Sequence, residues 1–149
     1  MEVKKILCAV DLEDTIAPSV EYAKMMASMT GASILVAYVI PAHTPYEDVY
    51  LSVNNQPNEV NNPNETIQKS MNALLAEQFA GMDATGVILV GRPSEELVKL
   101  AEEKGANLIV MGTHGRAGFD RLLFGSVAHE VVRAAPCPVM TVRPLMPRK

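Results

Sequence analysis

The sequence predicts an α/β fold, a single-domain doubly wound five-stranded parallel sheet in the order 3-2-1-4-5 with helices on both faces. Three observations carry this. Short apolar runs recur without polar alternation, as strands buried on both faces require. Each of the first four is followed by a segment whose apolar residues fall at helical spacing, the signature of right-handed crossovers between parallel strands. Glycine or proline marks the ends of these segments, at Pro18, Gly31, Pro63, Pro93 and Gly105.

Taken in order, residues 4–10, continuously apolar from Ile6 and ending at Asp11, read as the first strand. Asp14 or Thr15 can cap a helix with Pro18 in its first turn, Ile16, Val20, Ala23 and Ala27 share one face, and Gly31 supplies the stop. Residues 33–40 follow at once as the second strand. Residues 41–62 are rich in Pro and Asn and read as a variable surface loop. A helix restarts at Asn62-Pro63 and carries Ile67, Met71, Leu74, Leu75 and Phe79. The third strand is expected at 86–90, a helix at 93–104 before Gly105, the fourth strand at 107–111, the last helix at 126–134 and the fifth strand at 137–143. The sum is (βα)₄β in one domain spanning 1–149.

The chain has 149 residues, 48% of them hydrophobic and 20% charged, a balance that supports one packed core and excludes a disordered chain. A net charge of −4 argues against nucleic acid or an anionic membrane surface as partner, because such binding needs an excess of Lys and Arg. No apolar stretch is long enough to span a bilayer, and the run after Glu2, Lys4 and Lys5 is too short for a signal peptide, so a soluble cytoplasmic protein without membrane insertion is expected. Cys8 and Cys137 fall in or beside strands, and His43, His114 and His129 are not spaced as ligand sets, which leaves no expected protein-ligated metal.

The chemistry concentrates after the fourth strand. Gly112-Thr-His-Gly115 is followed by nine residues and then Gly125-Ser126-Val127. A strand that empties into a glycine-punctuated loop and then opens a helix offers backbone N–H groups and a positive helix end, which suits a phosphate. No G-x-x-x-x-G-K-[ST] occurs, and Asp11-Leu12-Glu13-Asp14 stands where a dinucleotide fold carries its glycines. Carboxylates there repel a pyrophosphate, so phosphates belong on the strand-4 side. Asp11 is left to accept hydrogen bonds from a ribose hydroxyl or an exocyclic amine. In the 3-2-1-4-5 order, the ends of strands 1 and 4 flank the point where strand order reverses, and ligands of such sheets lie there. Each residue also has a plainer role open to it: Gly112 and Gly115 in a tight turn, Ser126 as a helix cap, Asp11 as a turn residue, His114 as an exposed loop residue, and Arg116 and Arg121 on a solvated face rather than on phosphate oxygens.

The Gly-x-x-Gly, nine residues, Gly-Ser order, with a strand-1 Asp ahead of it and Ala135-Pro136-Cys137-Pro138-Val139 behind it, resembles the universal stress protein family, specifically its ATP-binding branch. The resemblance runs from Lys5-Ile6-Leu7 through Val142-Arg143-Pro144. It implies that Asp11 and Val39, with the backbone near Ala9, hold the adenosine end of ATP, and that Met111 and Gly112 lie beside the ribose. Gly115, Gly125, Ser126 and Val127 would cradle the phosphates through backbone amides and the serine hydroxyl, with Arg116 in reach. Mg2+ or Mn2+ would bridge phosphate oxygens. Some members of the branch carry Pro where Ala9 stands here.

The function expected is an ATP-binding stress-response or regulatory sensor acting on a client protein, with slow or no hydrolysis and no dedicated catalytic residue. Fast phosphoryl transfer needs a cationic clamp, metal-binding carboxylates and a positioned base, and only Ser126 and the arginines are in reach. A nucleotide hydrolase or transferase using Asp11 or His114 as base, and an interaction module that binds no nucleotide, are the alternatives. Strand 5, with Val139, Met140, Thr141 and Val142, ends the sheet as an apolar edge framed by prolines, and pairing with a second copy would cover it. Dimers of the family are similarly built. The adjoining helix or residues 145–149 folding over the edge is the other way to cover it.

Overall fold

The computed structural model of the protein describes residues 2–12, 17–41, 63–113 and 117–143. Five strands and four helices alternate: β1 (Lys5–Ala9), α1 (Pro18–Thr30), β2 (Ser33–Pro41), α2 (Pro63–Gln78), β3 (Ala84–Gly91), α3 (Pro93–Lys104), β4 (Leu108–Gly112), α4 (Ala117–Ala134) and β5 (Val139–Val142). All four strand pairings are parallel and the order is β3-β2-β1-β4-β5, as the sequence predicts.

Side chains of successive strand residues alternate between two cores. Ile6, Cys8, Val10, Ile34, Val36, Leu108 and Val110 pack with Val20, Ala23 and Ala27 of α1 and Met71 and Leu74 of α2. On the opposite face Leu7, Ala9, Leu35, Ala37, Val39, Ile109 and Met111 pack with Leu97, Leu100 and Ala101 of α3 and Ala128 and Val131 of α4. This two-sided burial is why the central strands show no polar alternation. At the opposite end of the sheet from the candidate site, Asn107 Oδ1 accepts the amides of Lys4 and Lys5 at 2.8 and 2.9 Å and so locks β1 to the start of β4. The Cys8 thiol is fully buried, and desolvation pushes its pKa up to about 12, leaving it a small apolar core group.

Strand bounds depart from the sequence reading by one or two residues, with β1 at Lys5–Ala9, β3 at Ala84–Gly91, β4 at Leu108–Gly112 and β5 at Val139–Val142, and three helix boundaries also differ. The residue capping α1 is Ala17, with no side-chain cap bond, and Pro18 opens the helix; Asp14 and Thr15 lie outside the described residues. Proline at that position fixes a helical φ and has no N–H that needs a cap. Phe79 falls just past α2 but stays buried, its amide bonded to the Leu75 carbonyl at 3.0 Å. The largest difference is α4, which begins at Ala117 rather than at Ser126. The segment Phe119-Asp-Arg-Leu-Leu-Phe124 contains no proline and propagates a helix readily, and the two flanking glycines cost only about 1 kcal/mol each relative to Ala. The loop expected at 41–62 contributes Pro41 to the end of β2, and its residues 42–62 lie outside the described ones.

The close approach of α2 to the edge strand β3 depends on Gly86. A Cβ there would stand 2.6 Å from Met71 Cγ and 2.9 Å from its Sδ, and Met71 is itself fully buried. Gly86→Val is expected to lower stability by about 1–3 kcal/mol through overpacking. Urea unfolding followed by circular dichroism checks this, with a shifted midpoint at unchanged slope as the expected result.

Candidate functional site

The strand register decides which sequence candidates meet. Ala9 pairs with Ala37, so Asp11 and Val39 each stand two positions beyond that pair, at the C-terminal margin of the sheet. The Val10 amide still reaches the Ala37 carbonyl at 2.9 Å, which keeps the two chains together up to that level. On the other side of β1, Cys8 pairs with Val110, which brings Met111 and Gly112 to the same margin. Ala9, Val39 and Met111 are buried in one core cluster, against which Val127 of α4 packs half-buried. Asp11 is half-buried.

The topology makes this margin a place where a ligand can enter. The connection from β1 leads through α1, packed on one face, to β2 on one side, and the connection from β4 leads through α4, packed on the other face, to β5 on the other side. The connections therefore diverge above the β1–β4 pair, the geometry of a binding crevice in a doubly wound sheet.

The phosphate half of the expected site is arranged differently from the sequence reading. Gly125, Ser126 and Val127 lie within α4 and not at its N-terminus, so their amides belong to the helical ladder, while the Ser126 side chain is exposed. Gly115 and Arg116, with His114, lie outside the described residues. Among the described residues, no three His, Cys, Asp or Glu side chains are grouped to hold a metal ion, and no helix is long and apolar enough to cross a membrane.

A polar cluster that sequence reasoning missed joins α3 to α4. Arg92 Nη2 donates to Glu130 Oε1 at 2.8 Å, Ser94 Oγ donates to Glu130 Oε2, and Arg92 Nη1 donates to Glu95 at 3.4 Å. Ser94 is buried at 4% exposure. These residues, with Val98, Glu102 and Ala134, line an open cleft of about 350 Å³. Arg92 and Glu130 are 38 positions apart, and nothing in the local pattern of either pairs them.

The sequence model of the universal stress protein family matches residues 2–143. The chain belongs to the universal stress protein family. Universal stress protein MJ0577 of Methanocaldococcus jannaschii is 28% identical over 94% of this chain and 94% of its own length. A universal stress protein of Thermus aquaticus is 33% identical over 94% of this chain and 98% of its own. Among solved structures, that of MJ0577 superposes with a TM-score of 0.73 at 27% identity, covering 99% of this chain and all of that one. The universal stress protein of Archaeoglobus fulgidus in complex with dAMP gives 0.57 at 25% identity, over 95% of this chain and 98% of that one.

In this universal stress protein the Glu130 carboxyl is held below the usual carboxylate range. The Ser94 hydroxyl is the foremost cause; partial burial opposes it, and the Arg92 guanidinium and the charge of His129 add to the lowering. A carboxylate lowered by folding stabilises the fold fully above its unfolded pKa and ceases to do so as pH falls through the folded value. Thermal melts between about pH 7 and pH 3 should therefore show wild type above Glu130→Gln at neutral pH and the gap closing in acid. A gap that is constant across the range would contradict this.

Proposed function

We propose that this universal stress protein is a cytoplasmic ATP-binding regulator that works as a homodimer, with slow or no hydrolysis. The observation that carries the reading is the convergence of Asp11, Val39, Ala9, Met111 and Gly112 on one margin, above the strand pair where the chain connections diverge. The side chains of Ala9, Ala37 and Gly112 are among the smallest available, which suits close approach of a flat ring and a sugar to the strand ends. Asp11 accepts from the adenosine end, Val39 and Met111 supply apolar contact, and the dAMP complex of the Archaeoglobus relative supports a nucleotide as the occupant.

The phosphates belong to Gly115, Arg116, Gly125, Ser126 and Val127, with Mg2+ or Mn2+ held through phosphate oxygens rather than by a protein ligand cage. The exposed Ser126 hydroxyl can donate as it stands. The amides of Gly125, Ser126 and Val127 can do so only if the stretch of α4 ahead of them opens, and Gly118 and Gly125 each weaken that stretch by about 1 kcal/mol relative to Ala. ATP that selects the opened arrangement would change the surface presented to a client protein, which is how a binder without a catalytic base can signal.

Calorimetry with Mg2+ and ATP tests the reading. Gly115→Val is expected to lose ATP binding without unfolding the domain, since a branched side chain blocks backbone approach to phosphate. Unchanged affinity in that variant would refute the phosphate assignment.

The dimer is proposed to form along β5. The carbonyls of Pro138 and Val142 face β4, accepting from Ile109 and Thr113 at 3.0 and 3.1 Å, so by the alternation of a strand the Thr141 amide points to the outer side. Thr141 is exposed, and β5 is the last strand of the described sheet. An isologous pairing there satisfies the outward groups of both copies. Light scattering should give a dimer for wild type and a monomer for Thr141→Pro, which deletes an outward donor; a wild type that is monomeric at high micromolar concentration overturns the proposal.

A further inference from the structure

We propose that Arg92, Ser94 and Glu130 act as a clamp that fixes the height and rotation of α4 so that Ser126 is presented to the nucleotide phosphates. The inference rests on the ATP reading above. Arg92 directly follows the last residue of β3, and Ser94 lies in the first turn of α3, so both stand at the C-terminal margin of the sheet. Glu130 uses one carboxylate oxygen for Arg92 and the other for Ser94, and that turn of α4 is thereby tied to the margin from two directions. Ser126 precedes Glu130 by four residues, on the same face of α4 and about 6 Å further along its axis. Val127, beside it, packs on the cluster that holds Ala9, Val39 and Met111.

The cluster is built for geometry more than for stability. Arg92 and Glu130 side chains are 57% and 36% exposed, and ion pairs that exposed add little to folding. What a charged acceptor gripped by two different donors does supply is direction, because sliding or turning α4 breaks both bonds at once. Ser94 is buried and cannot follow such a movement, and Arg92 is braced by Glu95 from its own helix. These three are positioning residues that act on the ligand through α4.

The clamp predicts a split between the two halves of the ligand. ATP reaches Ser126, whereas adenosine engages only the strand ends, so removing the clamp should weaken ATP and spare adenosine. Glu130→Ala and Arg92→Ala are expected to weaken ATP by about tenfold if the productive placement of α4 falls to about a tenth of the population. Adenosine, titrated by ligand-observed NMR that reads millimolar constants, should stay within about twofold of wild type and reports that each variant is folded. Glu130→Gln keeps an oxygen for Arg92 and an amide that can pair with the Ser94 hydroxyl, and should bind ATP almost as wild type does. The double Ala variant should be no weaker than the single ones, as expected when both residues serve one contact. Unchanged ATP affinity in the Ala variants, equal loss of ATP and adenosine, or a Glu130→Gln variant as weak as Glu130→Ala each overturns the clamp while leaving ATP binding intact. A wild-type protein that binds neither ligand refutes the ATP reading and the clamp with it.

Discussion

Everything in this structure depends on β1 being hydrogen-bonded on both sides. Ile6, Leu7 and Cys8 have no exposed surface, because β2 and β4 flank the strand and helices cover both of its faces. A strand so placed cannot carry a polar side chain in its middle without leaving it unpaired, which costs more than any local propensity returns. Its five residues therefore fix the pattern of the whole sheet. β2 lies on one side, α1 packs chiefly over β1 and β4, and β4 arrives on the other side after two further crossovers, so the connections from β1 and β4 diverge.

The function proposed follows from what happens when that strand ends. Beyond Ala9 the chain no longer has to be apolar, and Asp11 appears two residues later at the same level as Val39 and near the end of β4. Ala9, Val39 and Met111 from three strands are thus held near one margin by backbone pairing, and Asp11 follows two residues beyond the last pair of β1. The proposed phosphate side is carried differently, by a helix whose placement is a side-chain matter. Helices packed on a sheet can slide at small cost in apolar area, so a directional contact such as that of Glu130 with Arg92 and Ser94 has a job that burial alone does not do.

Part of the margin where β1 and β4 end was legible in the sequence. Asp11 stands out because a carboxylate directly ends an apolar run, and Gly112 because it ends the next central one. Ala9, Val39 and Met111 have no such signal; they look like ordinary core residues, and they are buried among ordinary core residues. They came from the family resemblance. The α4 start differs from the sequence reading because Gly115 and Gly125 look like the two ends of a loop, whereas the residues between Gly118 and Gly125 favour a helix strongly enough to carry both of those glycines. The Arg92–Ser94–Glu130 cluster was invisible because its members are separated by a strand and a helix, and each looks like a solvated charge or a first-turn serine on its own.

The sequence by itself determined the α/β class and the number of strands, because burial on both faces dictates continuous apolar runs and parallel pairing dictates a helix between each of them, whereas the expected order 3-2-1-4-5 became a fact only with the strand pairings. It also determined where the helix stops fall, since Gly31 and Gly105 adopt the left-handed conformation that ends α1 and α3. The tertiary structure alone decided which side chains share the margin, that Thr141 directs its amide outward, and that α4 is tied to the entrance of α3. The reason is the range of the interactions. Hydrophobic period and turn chemistry are properties of neighbouring residues, whereas register, amide direction and a carboxylate's choice of donors exist only once distant segments have been brought into contact.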